Sequence, residues 1–212
     1  VQSDDETLAE GSYRALVAAS YHDDDASKDL LRAALANGAP RERVLALRGA
    51  SRHDLLSNEQ WRALLVDEEV IVRREVAGLL AYRTLLAETI LDDLVAALGD
   101  DDPLVVERAA FALGEHAHVA ALDALCETSA HHDDPRCRES AIAALGAIGD
   151  DRALATIITA LEDKAPIRRR AIVALSNFEG PEVDAALARA GEDRDWQVRA
   201  AVSQLGRHEN DD

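Results

Sequence analysis

A period of about thirty residues constrains this chain more than any other feature. The segments VVERAAFALG (Val105–Gly114), CRESAIAALG (Cys137–Gly146) and IRRRAIVALS (Ile167–Ser176) share one pattern. Each places a small apolar residue eight before a leucine, an alanine four before it and another alanine directly before it. Val72–Ala81 fits with Val76 and Leu79 in the alanine places, and Gln197–Gly206 fits with its valine one place late and Gln204 before its leucine. The anchor leucines Leu80, Leu113, Leu145, Leu175 and Leu205 are spaced 33, 32, 30 and 30 apart, and Glu42–Ser51 is a weaker copy. Such self-similarity marks stacked units, each too small to bury its apolar face alone.

Between these segments lies a second set with spacing i, i+3, i+4, i+7, for example Leu91/Leu94/Val95/Leu98 and Leu154/Ile157/Ile158/Leu161. Each repeat is therefore a helix pair, A then B. Six pairs are predicted, at about 26–51, 57–83, 86–117, 119–148, 151–178 and 181–207, with a helix at about 7–21 covering the open end. Pro40, Pro103, Pro135 and Pro166 fall at the start of B helices and Pro181 at the start of an A helix, where the missing N–H costs nothing. Asp102 and Asp134 precede two of them as N-caps. Gly114, Gly146 and Gly206, after the anchor leucines, are expected to loosen or turn the chain. No β-alternation competes, so the fold class is all-α, and 1–212 is expected to form one repeat domain: cap 1–25, repeats 26–207, tail 208–212.

Composition narrows the function. Apolar residues make up 48% of the 212 and aromatics 3%, so the core is aliphatic and the chain is not a disordered one. Forty-one acids against 23 bases leave −18, spread evenly over both halves, and only Lys28 and Lys164 are lysines. Phosphate backbones would be repelled, which argues against a nucleic-acid partner. An acid-rich, lysine-poor surface instead suggests adaptation to a salt-loaded interior. No apolar run approaches the roughly 18 residues of a membrane span. Two cysteines make no disulfide framework, so a cytoplasmic location is expected. The absence of methionine suggests a start that was processed or trimmed.

With helix pairs of about thirty residues, an Asp-Pro-x-Val-Arg opening and an A-x-x-A-L-G close, the chain resembles the short HEAT-like repeats named after phycobilin lyases. The resemblance implies a right-handed α-α superhelix (an armadillo-like α-solenoid) with B helices lining a concave face and an Asp–Arg pattern along it. Asp134/Arg138 and Asp195/Arg199 match that pattern at i and i+4, while Val106 and Glu107 depart from it. The family includes scaffolds, bilin lyases, a di-iron hydroxylase and a DNA glycosylase lineage, so fold alone does not choose among them. Deoxyhypusine hydroxylases of this type hold two irons with His-Glu pairs near the start of B helices. Here those places read Arg74-Glu75, Val106-Glu107, Arg138-Glu139 and Arg168-Arg169, without histidine, and that activity is set aside. The glycosylase reading fails on charge and aromatic content.

Among candidate ligands, His116 and His118 precede the helix expected at 119–130 and His131 and His132 follow it, about 18 Å away at 1.5 Å per residue. What remains is Cys126, His131, His132 and Cys137, the count of a zinc site. Both cysteines, however, occupy places held elsewhere by Leu, Val and Ile, so no metal is expected. Acidic runs such as Asp67–Glu69 and Asp100–Asp102 read as caps and solvated turns, lacking EF-hand grammar. No nucleophile triad or phosphate loop is present. The resulting expectation is a non-enzymatic scaffold without cofactors, monomeric or weakly oligomeric, that binds another protein and neither nucleic acid nor membrane. The alternative is a bilin-lyase-related or cofactor-handling protein. Residues five and two before each anchor leucine point away from the core, and by the resemblance this stripe faces the groove. Glu75, Arg108, Phe111, Arg170 and Val173 are its candidate binding residues.

Overall fold

The computed structural model describes the backbone of residues 2–208 and the side chains of residues 11–205. Among the described residues there are thirteen α-helices and no strand. Two compact units, Val1–Arg83 and Thr84–Asp212, hold two and four helix pairs respectively.

In the first unit, α1 (Gln2–Ala19) precedes the pairs α2 (Asp25–Asn37)/α3 (Pro40–Arg52) and α4 (Asn58–Leu65)/α5 (Val70–Leu80). Leu16 and Ala19 of α1 pack on Leu31 and Ala46, with Leu35 and Leu45 at the margin. This is the covering contact expected of an N-terminal cap. Arg52 donates to the Ser20 carbonyl at 2.7 Å, fastening the end of α1 to α3. The tail expected at 208–212 lies, beyond the His208 backbone, outside the described residues.

In the second unit, the A elements are α6 (Glu88–Ala96), α8 (Leu122–His131), α10 (Leu154–Thr159) and α12 (Pro181–Ala190). The first three continue into or start from short 3-10 turns. The B helices are α7 (Pro103–Glu115), α9 (Pro135–Ile148), α11 (Ala165–Leu175) and α13 (Trp196–His208). Each packs on the next in a row, α7 on α9, α9 on α11 and α11 on α13.

The repeat pattern is the core. Leu113, Leu145 and Leu175 are fully buried, as are Val105, Cys137 and Ile167 eight before them and Ala109, Ala141 and Ala171 four before them. In the last copy the late valine, Val198, takes the buried place. Capping follows the sequence: Asp102 accepts from the Leu104 and Val105 amides and Asp134 from the Arg136 amide, each ahead of a first-turn proline.

The glycines after the anchors do a different job from the one expected. Gly114 and Gly146 lie within α7 and α9 and are buried. A Cβ on Gly114 would stand 2.8 Å from the Ala144 Cα, and one on Gly146 would stand 2.6 Å from the Ala174 Cβ. The A-L-G close is thus an interlocking device: the glycine of one B helix receives the alanine that precedes the anchor leucine of the next. The chain turns instead at Gly149, whose φ of +66° ends α9 in the left-handed conformation that glycine adopts without strain.

Candidate functional site

The A-to-B turns are built on one repeated element. A carboxylate accepts the amide two residues ahead: Asp67 from Glu69 (2.8 Å), Asp100 from Asp102 (2.9 Å) and Asp193 from Asp195 (2.7 Å). Such turn acids also receive an arginine from the preceding B helix: Asp67 takes Arg43 at 2.6 Å in the first unit, and Asp163 and Asp193 are each forked in the second. Arg138 donates through Nε and Nη2 to both oxygens of Asp163 (2.8 and 2.9 Å) and through Nη1 to the His132 carbonyl (2.8 Å). Arg168 does the same with Asp193 (both 2.8 Å) and the Asp163 carbonyl (2.7 Å). Forked charge-assisted bonds of this kind are strong and geometrically selective. The Arg138 guanidinium holds the Asp163 carboxyl below its ordinary value, and Arg168 does so for Asp193.

The Asp–Arg ladder therefore joins one repeat to the next, and the expected i, i+4 pairs do not form it. Asp134 pairs with Arg136, and Asp195 caps α13 by accepting from Gln197, while Arg199 donates to the Asp193 carbonyl. Where the ladder is broken, both ends of the rung have changed. Val106, fully buried, stands in the arginine's place, and His132 stands in the acid's place, its Nδ1 accepting the Asp134 amide at 3.0 Å.

Two adjoining cavities, of about 400 and 420 Å³, open along the B-helix row of the second unit. The first is walled by Glu107, Phe111 and Glu115 of α7 and by Arg136, Ser140, Ala143 and Ala147 of α9. The second is walled by Pro166, Arg169 and Val173 of α11 and by Trp196, Gln197, Ala200 and Gln204 of α13. Glu139 and Arg170 border both and pair at 3.4 Å. Three large apolar side chains are exposed here, Phe111 (41%), Val173 (49%) and Trp196 (67%). Three glutamates and three arginines line the two cavities, but the Arg136 charge is engaged by Asp134. That fork holds the Asp134 carboxyl down to about 2. Arg169 donates to the neutral Gln197 at 2.7 Å and keeps its charge, so with Asp134 counted four acids face three arginines.

Of the five stripe residues expected from the sequence, Phe111, Arg170 and Val173 line these cavities. Arg108 is half-buried and lines neither. Glu75 belongs to the first unit, where Arg48 forks onto it at 2.6 and 2.9 Å. Glu139, Arg136 and Trp196 were missed. For Trp196 a signal existed: it follows the cap Asp195 as Pro103 follows Asp102 and Pro135 follows Asp134. A large aromatic at an exposed first-turn position has no role in the core.

The four-ligand alternative does not assemble. Cys137 is buried with its thiol donating to the Pro103 carbonyl at 3.1 Å, and burial pushes that thiol up to about 11, away from the thiolate a metal needs. His132 Nδ1 is committed to the turn, and His131 is exposed beside Glu127. Nor do the B-helix openings fit a pair of irons: Arg138 and Arg168 are locked in forks, Val106 is buried, and Glu75 is held by Arg48.

A deoxyhypusine hydroxylase-B of Oryza sativa subsp. japonica is 34% identical over 123 residues, which is 57% of this chain and 41% of that protein. The chain thus spans less than half the length of this relative. The relative is named as an enzyme, which corrects the expectation of a non-enzyme: it points to enzymatic function in this family. Among solved structures, an engineered protein matches with a TM-score of 0.56 at 22% identity, covering 90% of this chain and 95% of its own. A designed armadillo repeat protein in complex with the peptide (KR)4 matches with a TM-score of 0.55 at 16% identity, covering 91% and 97%. Both similarities concern the fold, a helical repeat solenoid. No described helix is long and apolar enough to cross a membrane. Since the pattern of HEAT repeats matches residues 58–146 and 125–206, most of its length, the chain belongs to the HEAT-repeat family.

Proposed function

We propose that the B-helix face of the second unit binds an extended segment of another protein, one that combines apolar and basic side chains. The observation that carries this reading is the exposure of Phe111, Val173 and Trp196 along adjoining cavities. Exposed aromatics ringed by charge are characteristic of recognition surfaces. Four helices side by side at about 8–10 Å span some 30 Å, the length of roughly eight extended residues. In such a segment alternate side chains point to opposite faces. The Glu139–Arg170 pair at the junction offers an acceptor and a donor to a bound main chain. A net charge of −18 favours a basic segment and speeds its encounter. The solenoid similar to this one that holds (KR)4 supports the choice of probe.

The test is a titration with an octapeptide of alternating leucine and arginine. Saturable binding is expected, weakened at least about tenfold by Phe111→Ala with Val173→Ala. Binding indifferent to that pair of substitutions would place recognition elsewhere.

The named relative favours a second reading, in which the chain hydroxylates deoxyhypusine. Because the B-helix openings carry no histidine, any ligands for that chemistry would have to lie elsewhere in the protein. A deoxyhypusine hydroxylation assay on the purified chain tests this, and turnover would make the second reading the primary one.

A further inference from the structure

We propose that Glu88, Asp92 and His118 form a binding site for a divalent transition-metal ion, with zinc as its reference ion. Glu88 and Asp92 stand one turn apart on α6 and share a face. His118 is brought to them by the chain between α7 and the turn Val119–Ala121, after Ala117 adopts a left-handed backbone (φ 46°). Its backbone is held on both sides: its amide donates to the Leu113 carbonyl and its carbonyl accepts the Ala121 amide, each at 3.0 Å. One ligand atom from each of the three side chains lies within 4.8 Å of the others.

The histidine makes this more than two neighbouring acids. Its side chain belongs to a residue only 7% exposed, and Nε2 is buried with no hydrogen-bond partner. Buried polar nitrogens are nearly always satisfied, and one left without a partner forfeits its hydration. Two carboxylates side by side in a chain of charge −18 repel each other. A cation between them and the imidazole removes both penalties at once. One nitrogen with two carboxylate oxygens suits zinc and similar first-row ions, whereas calcium and magnesium take oxygen donors. Three protein donors leave a further coordination position open to water or another small ligand.

The full chain, stripped by a chelator and titrated with zinc chloride in competition with a chromogenic chelator, should bind one equivalent and gain thermal stability. The His118 imidazole resonances should shift on zinc addition. Glu88→Gln with Asp92→Asn, both at exposed positions, should weaken zinc by at least about tenfold. Cys126→Ser with His131→Ala should leave it unchanged. No stoichiometric zinc, zinc bound with His118 unmoved, or loss of zinc in the Cys126/His131 variant alone would each overturn the site. Equal competition by calcium chloride would overturn the role of the histidine.

Discussion

Arg138 grips both carboxylate oxygens of Asp163, twenty-five residues ahead, while its remaining nitrogen holds the His132 carbonyl of its own turn. One side chain thus closes a turn and fastens that repeat to the next. Arg168 repeats the arrangement with Asp193 and is itself buried. Hydrogen bonds to charged groups contribute about 1.5–3 kcal/mol, so Asp163→Asn should lower stability by that amount in denaturant unfolding. Asp193→Asn should cost more, about 3 kcal/mol or above, because it strands a buried guanidinium. Equal and negligible losses would show that the ladder is decorative.

The same pairs set the response to acid. Their partners lower the pKa of Asp163 and Asp193 in the folded state, so the stability they supply is present above the unfolded value near 3.9 and is lost as pH falls through the folded value. Thermal midpoints should be level from about pH 7 to 5 and fall below about pH 4. In the Asp163→Asn variant that fall should be shallower.

The broken rung makes a sharper prediction. Val106→Arg alone places a cation in a buried site opposite His132, and His132→Asp alone adds an acid with no arginine to receive it. Together they rebuild the pair seen at Arg138 and Asp163. A double-mutant cycle should give a favourable coupling of about 1–3 kcal/mol. Additive losses would mean that the equivalence of these positions is wrong.

Gly146→Ala tests the interlock between B helices. Alanine favours an isolated helix by about 1 kcal/mol. Here the added Cβ would meet Ala174 at 2.6 Å and its Cα at 2.7 Å, and backbone cannot step aside as a flexible side chain can. Overpacking of this kind costs about 1–3 kcal/mol, so a net destabilisation is expected on chemical unfolding. Stabilisation would show that the helices separate easily.

These particulars show what the sequence could reveal. The anchor leucines, the first-turn prolines and the Asp102 and Asp134 caps were legible because they act within one helix, at spacings that helix geometry dictates. The interlock of Gly146 with Ala174 and the fork of Arg138 on Asp163 act between repeats, at separations of 28 and 25 residues, where helix periodicity has nothing to say. For the same reason Phe111 and Val173 could be placed on an outward stripe, but Arg108 and Glu75 could not be known to be half-buried or paired. In sequence His118 stands in a local group of His and Cys residues. Its neighbours Glu88 and Asp92 come from the preceding repeat.

Charge gives a further prediction. At −18 the folded chain repels itself, and salt screens that repulsion over about 10 Å at 0.1 M. The thermal midpoint should rise with potassium chloride into the molar range. A flat or falling midpoint would remove the reading of the acidic surface as salt adaptation.

The chain has two tryptophans, Trp61, wholly buried, and Trp196, exposed at the second cavity, so Trp61→Phe leaves one reporter at the proposed binding face. In that background, titration with the alternating leucine–arginine octapeptide should shift Trp196 emission to the blue, saturably. Phe111→Ala with Val173→Ala should weaken the response at least about tenfold while leaving the unfolding midpoint nearly unchanged. An emission spectrum that does not respond to the peptide, or a response that survives those two substitutions unaltered, would contradict recognition along the B-helix row.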